Sequence, residues 1–178
     1  MTESIDYILK AIQRTFETEV EHTDKFVEYI LASKKIFIYG VGRSGLIAKA
    51  FAIRLVQMGL EVFFIGETVT PIVEENDLVV IVSYTGETMS AIQTANIVRR
   101  VGAKVVTITS NDHSKLSGAS NVIIQIHPPK DEEKKRLAPM GTLFEDATLI
   151  YLDGIVATIM DKLGQSEGSM RRRHAIWV

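Results

Sequence analysis

The sequence predicts an α/β fold, a three-layer αβα sandwich in which about five parallel strands lie between helices and follow an N-terminal pair of helices. Short β-rich runs such as LVVIV (78–82) are apolar throughout, which is typical of strands buried on both faces. These runs alternate with helical segments, and that order favours parallel strands. The 178 residues are enough for one domain with a full hydrophobic core.

The chain is predicted to be a single domain, 1–178, with three parts. Residues 1–34 form two helices, because apolar residues recur there at intervals of three and four with charged residues between them. The α/β core spans 35–164. Residues 165–178 form a C-terminal tail, in which the short basic cluster Arg171–Arg173 is expected to be a solvated helix end.

Within the core, strand and helix patterns alternate. Glycine ends two of the helical patterns, as expected of a C-cap. One long connection, 127–141, begins with two prolines and carries a charge run, so it is either a lid or a surface loop. The strands are predicted at 35–40, 61–66, 77–82, 103–110 and 121–127, and the helices at 44–59, 90–102 and 142–164, with a small helix near 113–118.

Composition and charge exclude several classes of function. The chain has no cysteine, which excludes disulfides, thiolate metal sites and cysteine nucleophiles. Its net charge of −2 gives no reason to expect nucleic acid. We see neither an apolar signal-peptide core nor the ~18 consecutive apolar residues of a membrane span. We therefore expect a cytoplasmic protein that binds neither nucleic acid nor membranes.

The last long helix, 142–164, is apolar around most of its circumference. Such a helix must be buried on more than one side. A second copy of the chain is the simplest source of that cover, so we expect a homo-oligomer. Its main apolar stripe consists of Leu149, Leu152, Val156, Ile159 and Leu163.

The loop GVGRSG (40–45) follows the first core strand and leads into a helix. Its three glycines match the pattern G-x-G-x-x-G, in which glycine lets the backbone approach the pyrophosphate of a dinucleotide. Glu67 would then be the acid expected after the second strand. An oxidoreductase is therefore one alternative, although no room remains after the sheet for a substrate domain. A plain turn, with Ser44 as a helix cap or a ligand contact, is another.

The loop SYTGETMS (83–90) joins a buried strand to a helix and is rich in hydroxyl groups. Ligands of open parallel sheets bind beyond the carboxyl ends of the strands, where both loops lie. Free amides, the helix N-terminus and the hydroxyls of Ser83, Thr85 and Thr88 together suit a phosphate monoester. The alternative is that Thr85 or Thr88 only caps the helix, but a cap needs a single hydroxyl.

These two loops, in this order, resemble the sugar isomerase (SIS) family, whose Ser/Thr-rich loop binds a phosphosugar. GETVTP (66–71), APMGTLFE (138–145) and RRHA (172–175) resemble the 6-phospho-3-hexuloisomerases within it, over nearly the whole chain. The resemblance implies interconversion of D-arabino-hex-3-ulose 6-phosphate and fructose 6-phosphate in the ribulose monophosphate pathway. It also implies a dimer or tetramer with active sites near subunit boundaries.

The resemblance also implies which residues bind the substrate and its phosphate. Tyr84 stands where relatives commonly have a small residue, so we expect it to narrow the pocket. We expect no cofactor, because the isomerisation needs no redox group, and no metal, because no ligand spacing is visible. The expected contacts are Gly42, Arg43, Ser44, Glu67, Ser83, Tyr84, Thr85, Gly86, Glu87 and Thr88.

Moving a carbonyl between neighbouring carbons requires a base, and the family places a catalytic glutamate at Glu145. An alternative is structural, since Thr142 and Glu145 have the T-x-x-E spacing of a capping box. His174 is a second catalytic candidate, reaching the site of a neighbouring subunit. Two other functions stay open. They are an aldose–ketose isomerase of the arabinose 5-phosphate type and a non-catalytic phosphosugar-binding SIS protein.

Overall fold

Parallel strands form the centre of the structure, a computed structural model that describes residues 1–175. The strands are β1 (Ile36–Gly40), β2 (Val62–Phe64), β3 (Leu78–Val82), β4 (Lys104–Thr109) and β5 (Val122–Gln125). They lie in the order β2-β1-β3-β4-β5, and each neighbouring pair is parallel. The prediction of a five-stranded parallel sheet is confirmed.

Helices cover both faces of the sheet and complete the predicted layers. They are α1 (Thr2–Thr15), α2 (Thr23–Ala32), α3 (Gly42–Gln57), α4 (Met89–Val101), α5 (Lys134–Leu137), α6 (Thr142–Lys162) and α7 (Glu167–Arg172). Gly59 and Gly102, which follow α3 and α4, have the positive φ angles expected at helix ends, 90° and 89°. The small helix predicted near 113–118 is a 3₁₀ turn, Ser117–Ala119.

Alternate residues of a strand face opposite layers, as β3 illustrates. Leu78, Val80 and Val82 pack into the larger core with residues of α2, α3 and α6. Val79 and Ile81 pack into the smaller core, with residues of α4. The whole strand is buried, as expected of a central parallel strand with helices on both sides.

Three segments differ locally from the prediction. β2 is shorter than the predicted strand at 61–66, because it lies at the sheet edge and pairs only with β1. The connection 127–141 contains a short helix, α5. The predicted tail, 165–178, contains α7, which Ser166 caps, and residues 176–178 of that prediction lie outside the described residues.

Contacts with α1 hold the connection between β5 and α6. The Tyr7 hydroxyl donates a hydrogen bond to the Asp131 carboxylate at 2.7 Å, and Arg136 forms an ion pair with Glu3 at 2.6 Å. Ala138 is fully buried against α1 and the start of α6. The sequence left open whether this connection is a lid or a surface loop, and these contacts fasten it to the body of the fold.

α6 is buried mainly within its own chain, which changes the basis of the predicted homo-oligomer. Leu152, Val156 and Ile159 of its apolar stripe lie in the larger core, whereas Leu149 and Leu163 are each 37% exposed. Ile150, beside Leu149, is 49% exposed, so α6 still presents some apolar surface that another subunit could cover. Within residues 1–175 no helix has the length and apolar character needed to cross a membrane.

Exposed apolar side chains are also found on α3 and on the loop after β2. Leu46 and Ile53 of α3 are 67% and 57% exposed. Val69 and Ile72 of the loop are exposed to a still greater extent. Burying such side chains against a second copy of the chain would remove apolar area from water, which is favourable.

Candidate active site

The turn from β1 into α3 depends on two glycines that pack against each other. A β-carbon added to Gly45 would lie 2.5 Å from the Gly40 carbonyl oxygen, and one added to Gly40 would lie 2.9 Å from the Gly45 Cα. Both contacts are too close for any side chain, so both positions need glycine. Gly42 has a positive φ of 60°, which glycine adopts without strain. The turn places Arg43 and Ser44 in the first turn of α3.

The loop after β3, residues 83–88, is held by the segment that follows β4. The Ser110 amide donates a hydrogen bond to the Tyr84 carbonyl at 3.1 Å. Gly86 has a positive φ of 68°, and a β-carbon there would lie 2.0 Å from the Ser114 hydroxyl. The loop therefore needs glycine at this position both for its conformation and for its packing.

Backbone amides in this loop remain available to a ligand. Those of Tyr84, Thr85 and Gly86 donate to no other group within residues 1–175. The Glu87 amide is occupied, since it donates to the Thr85 hydroxyl at 3.2 Å. The N-terminus of α4 follows directly, and helix N-termini carry free donors and partial positive charge. Successive free amides of this kind suit an anion.

A cavity of 170 Å³ lies against this loop, and we name it the hydroxyl cavity. Thr88 is the N-cap residue of α4, but its side chain makes no capping hydrogen bond, so the capping alternative is wrong for Thr88. The Ser83 hydroxyl instead donates to that of Thr88 at 3.4 Å. Hydroxyl residues of both loops line this cavity, Ser44 from the first loop and Ser83, Thr85 and Thr88 from the second. The cavity is lined by Val41, Ser44, Val82, Ser83, Tyr84, Thr85, Thr88 and Ala91.

A second cavity of 580 Å³ contains the predicted base, and we name it the carboxylate cavity. Arg43 donates a hydrogen bond to the Glu145 carboxylate inside it. The Glu145 side chain is only 10% exposed, whereas that of Arg43 is 63% exposed. Tyr84 lines both cavities, so they meet at this residue. The lining is Arg43, Tyr84, Lys134, Pro139, Met140, Gly141, Thr142 and Glu145.

The capping box predicted as an alternative role for Glu145 does not form. The N-cap residue of α6 is Gly141, and no side chain makes a capping hydrogen bond there. The Thr142 hydroxyl donates instead to the Pro139 carbonyl at 2.7 Å. The Glu145 side chain is therefore not needed for capping and points to Arg43.

Two carboxylates flank the Arg43 guanidinium. The hydrogen bond to Glu145 raises the pKa of Arg43 above its ordinary value, so the guanidinium stays charged. Asp146 lies 3.8 Å from the guanidinium. Burial raises the pKa of the Asp146 carboxyl above its ordinary value, although the charge of Arg43 partly opposes this shift. Within residues 1–175 no three His, Asp or Glu side chains lie close enough together to hold a metal ion.

Lys134 also lines the carboxylate cavity, and we did not predict it. Its ammonium donates a hydrogen bond to the Tyr84 hydroxyl at 3.3 Å and lies 5.6 Å from the centre of the Tyr84 ring. That ring also packs against Phe144, with centroids 5.1 Å apart. In the sequence Lys134 belongs to a charge run, where no spacing distinguishes it from its neighbours. Only the position of the four-residue helix α5 in the fold places Lys134, rather than its neighbours in the charge run, at this cavity.

Five predicted site residues line neither cavity: Gly42 and Gly86, which shape the two loops, and Glu67, Glu87 and His174. Glu87 does not line either cavity, and its carboxylate accepts a hydrogen bond from the Lys115 amide at 3.1 Å. Glu67 forms an ion pair with Lys49 at 3.0 Å. Glu67 and His174 line a third, more apolar cavity of 490 Å³ beside α3 and β2.

The position of His174 follows from how the tail is anchored. Arg173 donates a hydrogen bond to the Gln57 carbonyl at 3.3 Å, at the C-terminal end of α3. Arg43 lies at the other end of this helix, and the backbone between Arg43 and Gln57 rises by roughly 21 Å. One chain alone therefore does not bring His174 to its own Glu145.

Known proteins with the same fold and similar sequence identify the family. The SIS domain model matches residues 29–150. The 3-hexulose-6-phosphate isomerases of Bacillus subtilis and Methanocaldococcus jannaschii are 39% and 36% identical; the matches cover 87% and 85% of this chain and 86% and 81% of those enzymes. A Methanococcus jannaschii crystal structure, inferred to have that same molecular function, matches with a TM-score of 0.89 at 32% identity, over 99% of both chains. The chain therefore belongs to the SIS domain family.

Proposed function

We propose that this chain is an isomerase that interconverts D-arabino-hex-3-ulose 6-phosphate and D-fructose 6-phosphate, a step of the ribulose monophosphate pathway. The observation that carries the proposal is the meeting of the hydroxyl cavity and the carboxylate cavity at Tyr84. The first offers neutral donors for a phosphate, and the second offers a sheltered carboxylate. The activity named for the Bacillus subtilis relative agrees with this arrangement.

In this proposal the phosphate occupies the hydroxyl cavity. Its three terminal oxygens accept hydrogen bonds from the residues of both loops, including Ser44, Ser83 and Thr88. The free amides and the N-terminus of α4 supply further donors and partial positive charge, so no buried cation is required. From there the open-chain sugar extends past Tyr84 into the carboxylate cavity.

Glu145 is the proposed base. It takes the proton from C3 of fructose 6-phosphate as negative charge develops on O2, which leaves a cis-enediolate with a double bond between C2 and C3. The O3 proton passes to O2, the proton held by Glu145 returns to C2, and the product is the 3-ketose. A positioned carboxylate in a sheltered pocket is suited to such a transfer.

Arg43 donates a hydrogen bond to the Glu145 carboxylate, so this contact must break before Glu145 acts as the base. Most of the Arg43 side chain is exposed, which leaves it free to turn. A substrate oxygen in the carboxylate cavity offers the guanidinium a new partner. Arg43 thus pairs with the carboxylate before binding and contacts the substrate afterwards.

The proposed assembly is a homo-oligomer, either a dimer or a tetramer, in which His174 acts at the site of a neighbouring subunit. Two observations support it. The tail is anchored at the far end of α3 from Glu145, and apolar side chains on α3 and on the loop after β2 are exposed in the single chain. Glu67, near His174 in the third cavity, belongs to the same proposed boundary.

Isotope exchange tests the proposed reaction. Incubation with fructose 6-phosphate in D₂O should form the 3-ketose and place deuterium at C3 of the recovered fructose 6-phosphate, which NMR detects. An aldose–ketose isomerase would instead label C1, through a 1,2-enediol. A phosphosugar-binding protein without catalysis would label neither carbon, and either of these results would refute the proposal.

Replacement of the proposed base, Glu145→Gln, should lower kcat about 100- to 10,000-fold, the usual range for loss of a general base. Affinity for fructose 6-phosphate, measured by calorimetry, should change little, since the phosphate contacts remain. Asp153→Asn is the matched control, because Asp153 is an exposed acid on the same helix and should keep full activity. Retention of near-normal turnover by Glu145→Gln would exclude it as the base.

Mixed oligomers test whether one site uses two subunits. Glu145→Gln and His174→Ala should each be nearly inactive alone. Co-expression should restore activity, because one site of a mixed pair then combines an intact Glu145 with an intact His174, giving about a quarter of the sites for random pairing in a symmetric dimer. If His174→Ala is fully active, or if mixing restores nothing, His174 does not act across subunits.

A further inference from the structure

Lys134 is the cation of the carboxylate cavity that no carboxylate neutralises. It is half-buried on α5, and within residues 1–175 its ammonium forms no ion pair. Arg136, two residues further on, behaves differently, because it pairs with both Glu3 and Glu133. Arg43, the other cation of this cavity, is likewise flanked by two acids.

The surroundings of Lys134 hold it in place. Its ammonium donates a hydrogen bond to the Tyr84 hydroxyl, and the Tyr84 ring packs against Phe144. The helix that carries Lys134 is tied to α1 through Asp131, which also accepts a hydrogen bond from the Lys134 amide at 3.0 Å. A long side chain is thereby directed to the junction of the two cavities.

We propose that Lys134 is a substrate-binding cation whose ammonium, positioned by Tyr84, contacts the sugar oxygen that becomes negatively charged as the enediol forms. This inference rests on the isomerisation proposed above. Proton removal by Glu145 moves electrons toward O2, so negative charge develops beside the base while Arg43 leaves Glu145. An ammonium fixed in advance near that charge stabilises it without reorganisation. Tyr84 is then a positioning residue as well as the wall between the cavities.

Two small ligands separate the binding of this charge from the binding of phosphate. 4-Phospho-D-erythronate carries a carboxylate at the position of C3 of the substrate, next to the carbons and phosphate that correspond to C4–C6. Erythritol 4-phosphate has the same phosphate and a neutral hydroxymethyl group instead. Calorimetry with both ligands needs no turnover, so it remains informative whatever the isotope experiment shows for the wild type.

Lys134→Met should weaken binding of 4-phospho-D-erythronate about tenfold to a hundredfold, the usual value of a hydrogen bond to a charged group. Binding of erythritol 4-phosphate should change less than about threefold, within the usual effect of a charge at an exposed site. That unchanged binding also shows that the variant is folded. Tyr84→Phe should give a smaller, selective loss for the phosphoerythronate.

Lys135→Met is the matched control, because Lys135 is the exposed neighbour of Lys134 on the same helix. This substitution removes the same net charge as Lys134→Met. It should leave both affinities as in the wild type. Equal weakening of both ligands by Lys134→Met would assign Lys134 to the phosphate or to the fold. No weakening of either, or a similar loss in Lys135→Met, would also overturn the inference. Failure of the isomerase proposal is seen separately, as absence of deuterium at C3 with the wild type.

Discussion

The contact between Gly40 and Gly45 is the constraint on which the rest of the site depends. Because neither residue has a side chain, α3 begins directly against the end of β1. That close approach brings Ser44 to the hydroxyl cavity and Arg43 to the carboxylate cavity. The glycine pattern that also suggests a dinucleotide site is explained here by packing between a strand and a helix.

Charge is distributed unevenly between the two cavities, and the chemistry proposed for each rests on this difference. Among residues 1–175, no charged side chain lines the hydroxyl cavity, and its donors are hydroxyls, amides and a helix N-terminus. The carboxylate cavity holds Glu145 with two cations, Arg43 and Lys134. A phosphate is best shared among many neutral donors, whereas a carbanion-like intermediate needs a base and a nearby positive charge. A phosphosugar, which carries a phosphate at one end and a carbonyl at the other, could place its phosphate in the hydroxyl cavity and its reacting carbons in the carboxylate cavity.

Much of the fold was predictable, because apolar strands alternating with helices allow few arrangements. The hydroxyl cavity was also predictable, since the carboxyl ends of neighbouring parallel strands must meet and Ser83, Thr85 and Thr88 lie at one of them. The roles of the acids were harder to predict. The spacing of Thr142 and Glu145 fits a capping box, but the partner that decides the outcome, Arg43, is distant in sequence. Long-range pairs of this kind leave no local pattern.

Other features depend on contacts that no periodicity reports. Lys134 belongs to a helix of one turn, and tertiary contacts with α1 hold that helix in place. Its ammonium donates a hydrogen bond to the Tyr84 hydroxyl. The apolar circumference of α6 correctly indicated burial on several sides, but most of the cover comes from its own chain. Exposed apolar side chains remain on α6, on α3 and after β2, and the helical pattern alone does not show whether they face solvent or another subunit.

A crystal structure of the Glu145→Gln variant with fructose 6-phosphate tests the central claim most directly, because a variant unable to turn over would hold the substrate in place. The account predicts the phosphate in the hydroxyl cavity, in contact with Ser44, Ser83 and Thr88. It places C2 and C3 of the open-chain sugar beside residue 145, past Tyr84. A phosphate bound in any other cavity, or a sugar directed away from residue 145, would contradict it.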